Sequence, residues 1–178
     1  ESFFKDGQFF DMKFSFTYED PILGTGGGVK NAEAFLGDST FVLANCDFVS
    51  NIDIKHYIDK HIIKKSKASM LLFQDETRQH LYSKVGIDSD EHLVSLPKLQ
   101  THTPDQHGIF TGIHILNPDV LSFIENRPCG INDTLYPKLM KEFPQSVYGL
   151  IDSKAFWYDT GDLPAFWQSN RNLLEALH

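Results

Sequence analysis

Four glycines are the first residues of this chain whose type and spacing could do chemistry. The stretch PILGTGGGVKNAEAF, residues 21–35, places Gly24, Gly26, Gly27 and Gly28 directly before residues that are typical of a helix. Glycine allows a positive φ and lets another group approach the backbone closely. Exposed amides at a helix N-terminus can bind phosphate. The segment therefore predicts either a loop against a nucleotide or sugar, or a tight strand-to-helix turn without a ligand.

The glycine spacing does not fit either of two common phosphate loops. A Walker A loop needs Gly before its Lys and Ser or Thr after it. Here Val29 precedes Lys30 and Asn31 follows it. The dinucleotide fingerprint G-x-G-x-x-G fits Gly24 and Gly26, but it requires a third glycine at position 29, which is valine. Both of these loop types are excluded.

Two aspartates stand where apolar strands are expected to end. Asp47 follows the run STFVLANC, and Asp159 follows AFWY. Open α/β sheets bind ligands at the carboxyl ends of their strands, and carboxylates there can hold Mg²⁺ against a phosphate. The alternatives are a loop-capping or surface aspartate for Asp47 and an Asx turn for Asp159. Coincidence explains the two aspartates and the glycine segment together less well than each alone.

The elements that must position these residues alternate between strands and helices. A strand over 13–20, the glycine loop, a helix ending at Gly37 and a strand over 39–47 that is buried on both faces predict a βαβ unit in a parallel sheet. The pattern then predicts a helix capped by Asp53, a buried strand over 68–74 and a hairpin over 80–99. A strand over 108–116 follows, and then a helix begun by Asn117 and a helix interrupted near Pro137. The chain ends with two strands around a turn at 152–154 and a C-terminal amphipathic helix.

Composition narrows the class of protein. The formal net charge of −8 argues against nonspecific nucleic-acid binding, which needs a basic face. No apolar run approaches the roughly 18 residues of a membrane helix, and no signal peptide is evident. Cys46 and Cys129 form no CxxC pair, which argues against a zinc ribbon and favours a reducing, cytoplasmic setting. We expect one α/β domain over 1–178, with no membrane partner.

The order of several short motifs resembles that of the sugar-1-phosphate nucleotidylyltransferases, from about Glu19 to the C-terminus. The motifs are LGTGGG, NCD, TGIHILNPDVL, INDTLYPKL, VYGL and FWYDTGD. Mannose-1-phosphate guanylyltransferases and N-acetylmuramate-1-phosphate uridylyltransferases are the most similar groups. The resemblance implies an α/β fold with a Rossmann-like mixed, mostly parallel sheet and flanking helices. It also implies transfer of a nucleotidyl group from an NTP, most readily GTP or UTP, to a sugar-1-phosphate, with release of pyrophosphate.

The resemblance also implies a set of site residues. Asp47 and Asp159 would be catalytic and would bind Mg²⁺. The loop Gly24–Gly28 would pass close to the nucleobase, ribose and sugar, and Thr111 with Gly112 would line the sugar pocket. The residues expected to contact substrate are Glu19, Leu23, Gly24, Thr25, Gly26, Gly27, Asn45, Thr111 and Gly112.

The sequence departs from the family pattern in three places. The family's initial GxGTR…K loop, which holds the triphosphate, is not found, so we expect the domain to be N-terminally incomplete. NCD stands in place of NGD, and LPK at 96–98 does not match the family's EKP motif. Two alternatives therefore stay open: a noncatalytic nucleotide-sugar-binding or regulatory subunit, and an α/β domain unrelated to nucleotides whose glycines pack on protein. The C-terminal helix could also support a homo-oligomer.

Overall fold

A computed structural model describes residues 3–5 and 7–176 of the chain. These described residues form nine strands in two sheets. They are β1 (Phe41–Ala44), β2 (Phe48–Ser50), β3 (Ala68–Phe73), β4 (Lys84–Ile87), β5 (Leu93–Leu96), β6 (Leu99–Gln100), β7 (Gln106–Leu116), β8 (Val147–Asp152) and β9 (Trp157–Asp159). The larger sheet has the order β6-β5-β4-β7-β3-β8, with β1 also paired to β7, and β2 pairs with β9 in the smaller sheet.

In the described part of the chain, five α-helices flank the sheets. They are α1 (Gly24–Asn31), α2 (Glu33–Leu36), α3 (Ile54–Ile63), α4 (Ile131–Glu142) and α5 (Leu163–Ala176). Short 3-10 helices span Gln8–Phe10, Pro118–Phe123 and Pro144–Ser146. No helix within the described ranges is both long enough and apolar enough to cross a membrane.

The larger sheet is organised around β7. One edge of β7 pairs with β3, while the other edge pairs with β1 near its C-terminal end and with β4 near its N-terminal end. The predicted α/β class with a mixed sheet and flanking helices is confirmed. The expectation of mostly parallel pairing is wrong for the described strands, among which only β3 and β8 pair in parallel. The strands β1 and β3 do run in the same direction, but β7 lies antiparallel between them.

The predicted βαβ unit around the glycines is wrong. Residues 13–20 form no strand, so α1 does not connect two strands of the sheet. β1 is also not buried on both faces, since its residues alternate between half-buried and exposed and Val42 is 37 % exposed. A continuous apolar run predicts burial only where other elements cover both faces. Among the described residues, β1 pairs with β7 alone.

Two apolar clusters lie on the two faces of the large sheet. One includes the buried residues of α4, such as Leu135, Tyr136 and Leu139. The other includes Tyr57 from α3 and Trp157 from β9. These clusters explain why α4 continues through Pro137 although the sequence predicts an interruption there. Burial of the neighbouring turns offsets the backbone hydrogen bond that proline removes.

The remaining local predictions are mostly confirmed. The Asp53 side chain caps α3 by accepting a hydrogen bond from His56 N, 3.1 Å away. β3 is buried throughout, and β4 and β5 form the predicted hairpin. Asn117 precedes a 3-10 helix rather than an α-helix. β8 and β9 do not pair with each other, because β8 joins β3 and β9 joins β2.

Candidate active site

The smaller sheet brings Asp47 and Asp159 together. Asp47 immediately precedes β2, whose first residue Phe48 lies opposite Asp159 at the end of β9. The backbone N–H of Thr160 donates a hydrogen bond to the carbonyl of Asp47 at 2.8 Å. A Cβ atom placed on Gly161 would lie 3.2 Å from Asp159 Oδ1 and 3.5 Å from Asp47 Oδ2. Both carboxylates therefore lie beside Gly161.

This pair of carboxylates has the ligand chemistry of a magnesium site. Asp47 is exposed and Asp159 is half-buried, so both are accessible. Mg²⁺ is usually held by one or two carboxylates and completes its shell with water and substrate phosphates. In residues 3–5 and 7–176 no group of three or more His, Cys, Asp or Glu side chains is arranged to hold a metal. The pair fits a cation shared with a phosphate better than a closed structural metal site.

Neighbouring elements hold Asp159 firmly. The N–H of Gly161 donates to its Oδ1 at 2.9 Å, and the hydroxyl of Ser169 on α5 donates to its backbone carbonyl at 2.7 Å. The Tyr82 phenol also interacts with the Asp159 carboxylate. Burial, and then the negative charge of Asp159, raise the pKa of Tyr82. A cleft of about 560 Å³ opens beside Asp159, between β9, α5 and the loop that contains Tyr82.

A bulge in β7 brings the end of β1 close to Gly112. The pairing of β3 with β7 shifts register between Met70 and Leu72. Gly112 adopts a φ of +85°, and its carbonyl accepts a hydrogen bond from Asn45 N at 3.0 Å. A Cβ on Gly112 would lie 3.1 Å from Asn45 Cβ, in a backbone conformation that other residues rarely adopt. The bulge thus fixes Asn45 two residues before Asp47.

Thr111 has a structural role in this bulge. Its side chain is fully buried, and its hydroxyl donates to the carbonyl of Leu71 at 2.9 Å. Its own carbonyl accepts a hydrogen bond from Trp157 Nε1 at 2.9 Å. The hydroxyl is thus bonded inside the sheet, and the role of Thr111 in lining the sugar pocket stays a prediction. A sugar contact by Gly112 stays a prediction.

The glycine segment is the start of α1 rather than a loop. The backbone N–H groups of Gly26 and Gly27 both point to the carbonyl of Cys129, at 2.9 and 3.4 Å. A Cβ on Gly26 would lie 2.8 Å from Cys129 Sγ, and one on Gly27 would lie 2.8 Å from the carbonyl oxygen of Arg127. The group that comes close to these two glycines is therefore the chain's own segment 127–130.

Other predicted contact residues around the glycines also bond to protein. Glu19 Oε2 accepts a hydrogen bond from Leu23 N at 2.8 Å. Thr25 Oγ1 accepts one from Ile131 N at 3.1 Å. Gly24 and Thr25 remain exposed, whereas Gly26 and Gly27 are buried. Packing of the glycines on protein is the arrangement expected of a domain unrelated to nucleotides, so the glycine segment alone does not identify a nucleotide site.

The family is decided by comparison of the whole chain. The model of the family described as "Nucleotidyl transferase" matches residues 1–176. The chain belongs to the nucleotidyl transferase family. This membership removes the alternative of a domain unrelated to nucleotides, although the glycines pack as that alternative required.

Curated relatives of this nucleotidyl transferase chain carry consistent names. It is 27 % identical over 190 residues to a UTP--glucose-1-phosphate uridylyltransferase of Synechocystis sp., with 98 % of this chain and 48 % of the relative covered. It is 23 % identical over 178 residues to a mannose-1-phosphate guanylyltransferase of Mycobacterium tuberculosis, with 99 % and 49 % covered. The chain therefore spans about half the length of the curated relatives it matches.

Solved structures support the fold of this nucleotidyl transferase chain. HddC from Yersinia pseudotuberculosis superposes with a TM-score of 0.72 at 22 % identity, covering 95 % of this chain and 75 % of that one. The same protein complexed with GMP-PN gives a TM-score of 0.73 at 21 % identity, with the same coverage. At this level of identity the similarity establishes the architecture.

Sequence reasoning missed two groups of residues in this nucleotidyl transferase chain. The segment 127–130 covers the glycines, and Arg78 with Tyr82 packs on β9 beside Asp159. No local motif could have indicated either contact, because the partners are distant along the chain. Arg78 and the carbonyl it binds are separated by 79 positions.

Proposed function

We propose that the natural protein containing this chain transfers a nucleotidyl group from an NTP to a sugar-1-phosphate. The observation that carries the proposal is the convergence of Asp47 and Asp159 beside Gly161, in a chain of the nucleotidyl transferase family. The names of the two curated relatives, a uridylyltransferase and a guanylyltransferase that act on sugar-1-phosphates, support this reaction class.

In the proposed reaction an oxygen of the sugar-1-phosphate attacks the α-phosphorus of the NTP. A new P–O bond forms as the bond between the α-phosphorus and the β-phosphate bridging oxygen breaks, and pyrophosphate leaves with that electron pair. Such a transfer needs positioning and charge stabilisation more than a protein nucleophile. Asp47 and Asp159 would hold Mg²⁺, which neutralises phosphate charge when bound. The exposed backbone of Gly24 and Thr25 would lie along the nucleotide.

The choice of nucleotide in this proposal is based on the names of the curated relatives. We propose GTP or UTP as the nucleotide, since a guanylyltransferase and a uridylyltransferase are both among the named relatives. Mg²⁺ as the cation rests on the oxygen-only chemistry of the carboxylate pair. A cytoplasmic location and a homo-oligomer stay predictions. The alternative of a noncatalytic binding or regulatory subunit is not favoured, because those relatives are named as transferases.

The test uses the complete natural protein that contains residues 1–178. Its intact mass is measured first, and pyrophosphate release is then followed with each NTP against a panel of sugar-1-phosphates. We expect one NTP and one sugar-1-phosphate to give release that stops with EDTA and returns with Mg²⁺. Binding of a nucleotide sugar without release from any pair would support the noncatalytic alternative instead. Release that is insensitive to EDTA would contradict the role given to the two aspartates.

A further inference from the structure

The loop between β3 and β4 contacts β9 immediately before Asp159. Arg78 Nη1 donates a hydrogen bond to the carbonyl of Trp157 at 3.0 Å. Its guanidinium also lies over the rings of Phe73 and Tyr158, 5.3 and 5.5 Å from their centroids. This one side chain therefore touches both residues that precede Asp159 in β9.

Arg78 is itself held in place by the loop. Its Nε donates to Asp75 Oδ2 at 2.6 Å. Asp75 Oδ1 accepts hydrogen bonds from the backbone and hydroxyl of Thr77. Burial opposes ionisation of Asp75, but the hydrogen bonds from Thr77 and Arg78 outweigh it and lower its pKa to about 2. A carboxylate that stays ionised keeps the guanidinium fixed over β9.

Tyr82 completes the contact at the carboxylate. Its ring packs edge-on against Trp157, with centroids 5.4 Å apart. Tyr82 lines the same cleft as Asp159, and burial first, then the charge of the nearby Asp159 carboxylate, raise the pKa of Tyr82. The carboxylate therefore has the N–H of Gly161 as a donor to Oδ1 and the Tyr82 phenol beside it from a different segment.

We propose that Arg78 and Tyr82 are positioning residues that orient Asp159 for binding a divalent cation. This inference rests on the proposed function, since it concerns the cation of that reaction. Neighbouring groups that fix the position of a metal-binding carboxylate tune its affinity, and their loss commonly weakens metal binding. Neither residue is proposed to touch the substrate. Their effect passes through the backbone of β9 and the Asp159 carboxylate.

The experiment compares Tyr82→Phe and Arg78→Gln with the unaltered full-length natural protein. Two quantities are measured: the Mg²⁺ concentration that gives half-maximal pyrophosphate release, and Mn²⁺ binding followed by the EPR signal of the free ion. We expect Tyr82→Phe to need about 10-fold more Mg²⁺ and to bind Mn²⁺ correspondingly more weakly. Turnover at saturating Mg²⁺ should largely recover, because the ring still packs on Trp157. Arg78→Gln should show at least the same shift.

A matched control is Tyr148→Phe, which removes a phenol hydroxyl that donates to the backbone carbonyl of Gln145. It should leave both metal readouts unchanged. Unchanged Mg²⁺ and Mn²⁺ curves in Tyr82→Phe, together with inactivity of Asp159→Asn, would overturn the positioning role alone. Full activity of Asp159→Asn would overturn the proposed function and the positioning role together. Circular dichroism of each variant separates both results from unfolding.

Discussion

The carboxylate pair and the glycine segment both indicate a phosphate site in the sequence, but they lie in opposite environments in the fold. The glycines would bind phosphate through their backbone amides, and the aspartates would do so through a bound Mg²⁺. Asp47 is exposed, and its carboxylate lies beside Gly161, as does that of Asp159. Gly26 and Gly27 are buried, and their N–H groups face the carbonyl of Cys129. A close approach to glycine does not say what approaches, whereas exposed carboxylates must meet solvent or a ligand.

The largest expected effect concerns the carboxylate pair, Asp47 and Asp159. Asp47→Asn and Asp159→Asn in the full-length natural protein should each lower turnover by about 100-fold or more, because an amide cannot supply the negative charge that holds a cation. Pyrophosphate release measures the loss, and circular dichroism should remain native-like.

The matched control for these variants is Asp59→Asn. Asp59 is an exposed aspartate on α3 that pairs with Lys55 at the surface. Its substitution should leave turnover within about twofold, since such a surface pair is worth roughly 0.5 kcal/mol or less. Equal turnover in all three variants would remove the distinction between the carboxylate pair and ordinary surface aspartates.

Substitution of a buried glycine in the glycine segment should lower the stability of the fold. Gly27→Ala places a Cβ 2.8 Å from the carbonyl oxygen of Arg127, a backbone atom that cannot rotate away. We expect the free energy of unfolding to fall by about 1–3 kcal/mol, as for other overpacked sites. Urea denaturation measures the change. Gly130→Ala is the control, because its nearest neighbour would be 3.5 Å away and its φ is −85°. Identical midpoints for both variants would contradict the close packing of the glycines.

Burial also changes the pKa of a histidine in the core, and with it the pH dependence of stability. His114 is buried and stacks on Tyr136, and burial lowers its pKa to about 3. The unfolded state, with a histidine pKa near 6.5, binds the extra proton first as the pH falls. Stability should therefore be lost between about pH 6.5 and pH 3. His114→Phe should reduce the slope of unfolding free energy against pH in that window by up to about 1.4 kcal/mol per pH unit. An unchanged slope would contradict a neutral buried His114.

The smallest expected effect concerns Thr111, for which a structural role and a role in sugar binding can be distinguished. Thr111→Val removes the hydrogen bond to Leu71 and should lower the free energy of unfolding by about 1 kcal/mol. The KM for the sugar-1-phosphate should stay the same, because the hydroxyl faces the sheet interior. A higher KM with unchanged stability would instead support the sugar-pocket role that the sequence resemblance implied.

Local patterns predicted several elements well. Alternation and apolar runs indicated β3, the β4–β5 hairpin and β7, and the helix signals identified α3 with its Asp53 cap. The order of weak motifs predicted the family that the comparison of the whole chain confirms. The predictions of a strand over 13–20 and of burial of β1 on both faces are wrong, because strand formation and burial depend on partners that lie elsewhere in the chain.

The sequence by itself determined the class of fold, the family, and the two strand-end aspartates, since residue type, periodicity and motif order are local properties. Only the tertiary structure decided what each feature touches. It placed segment 127–130 over the glycines, turned the Thr111 hydroxyl into the sheet, and set Arg78 and Tyr82 against β9. The physical reason is that these contacts join residues far apart in the chain. Their energies depend on distances that only the packed strands and helices fix.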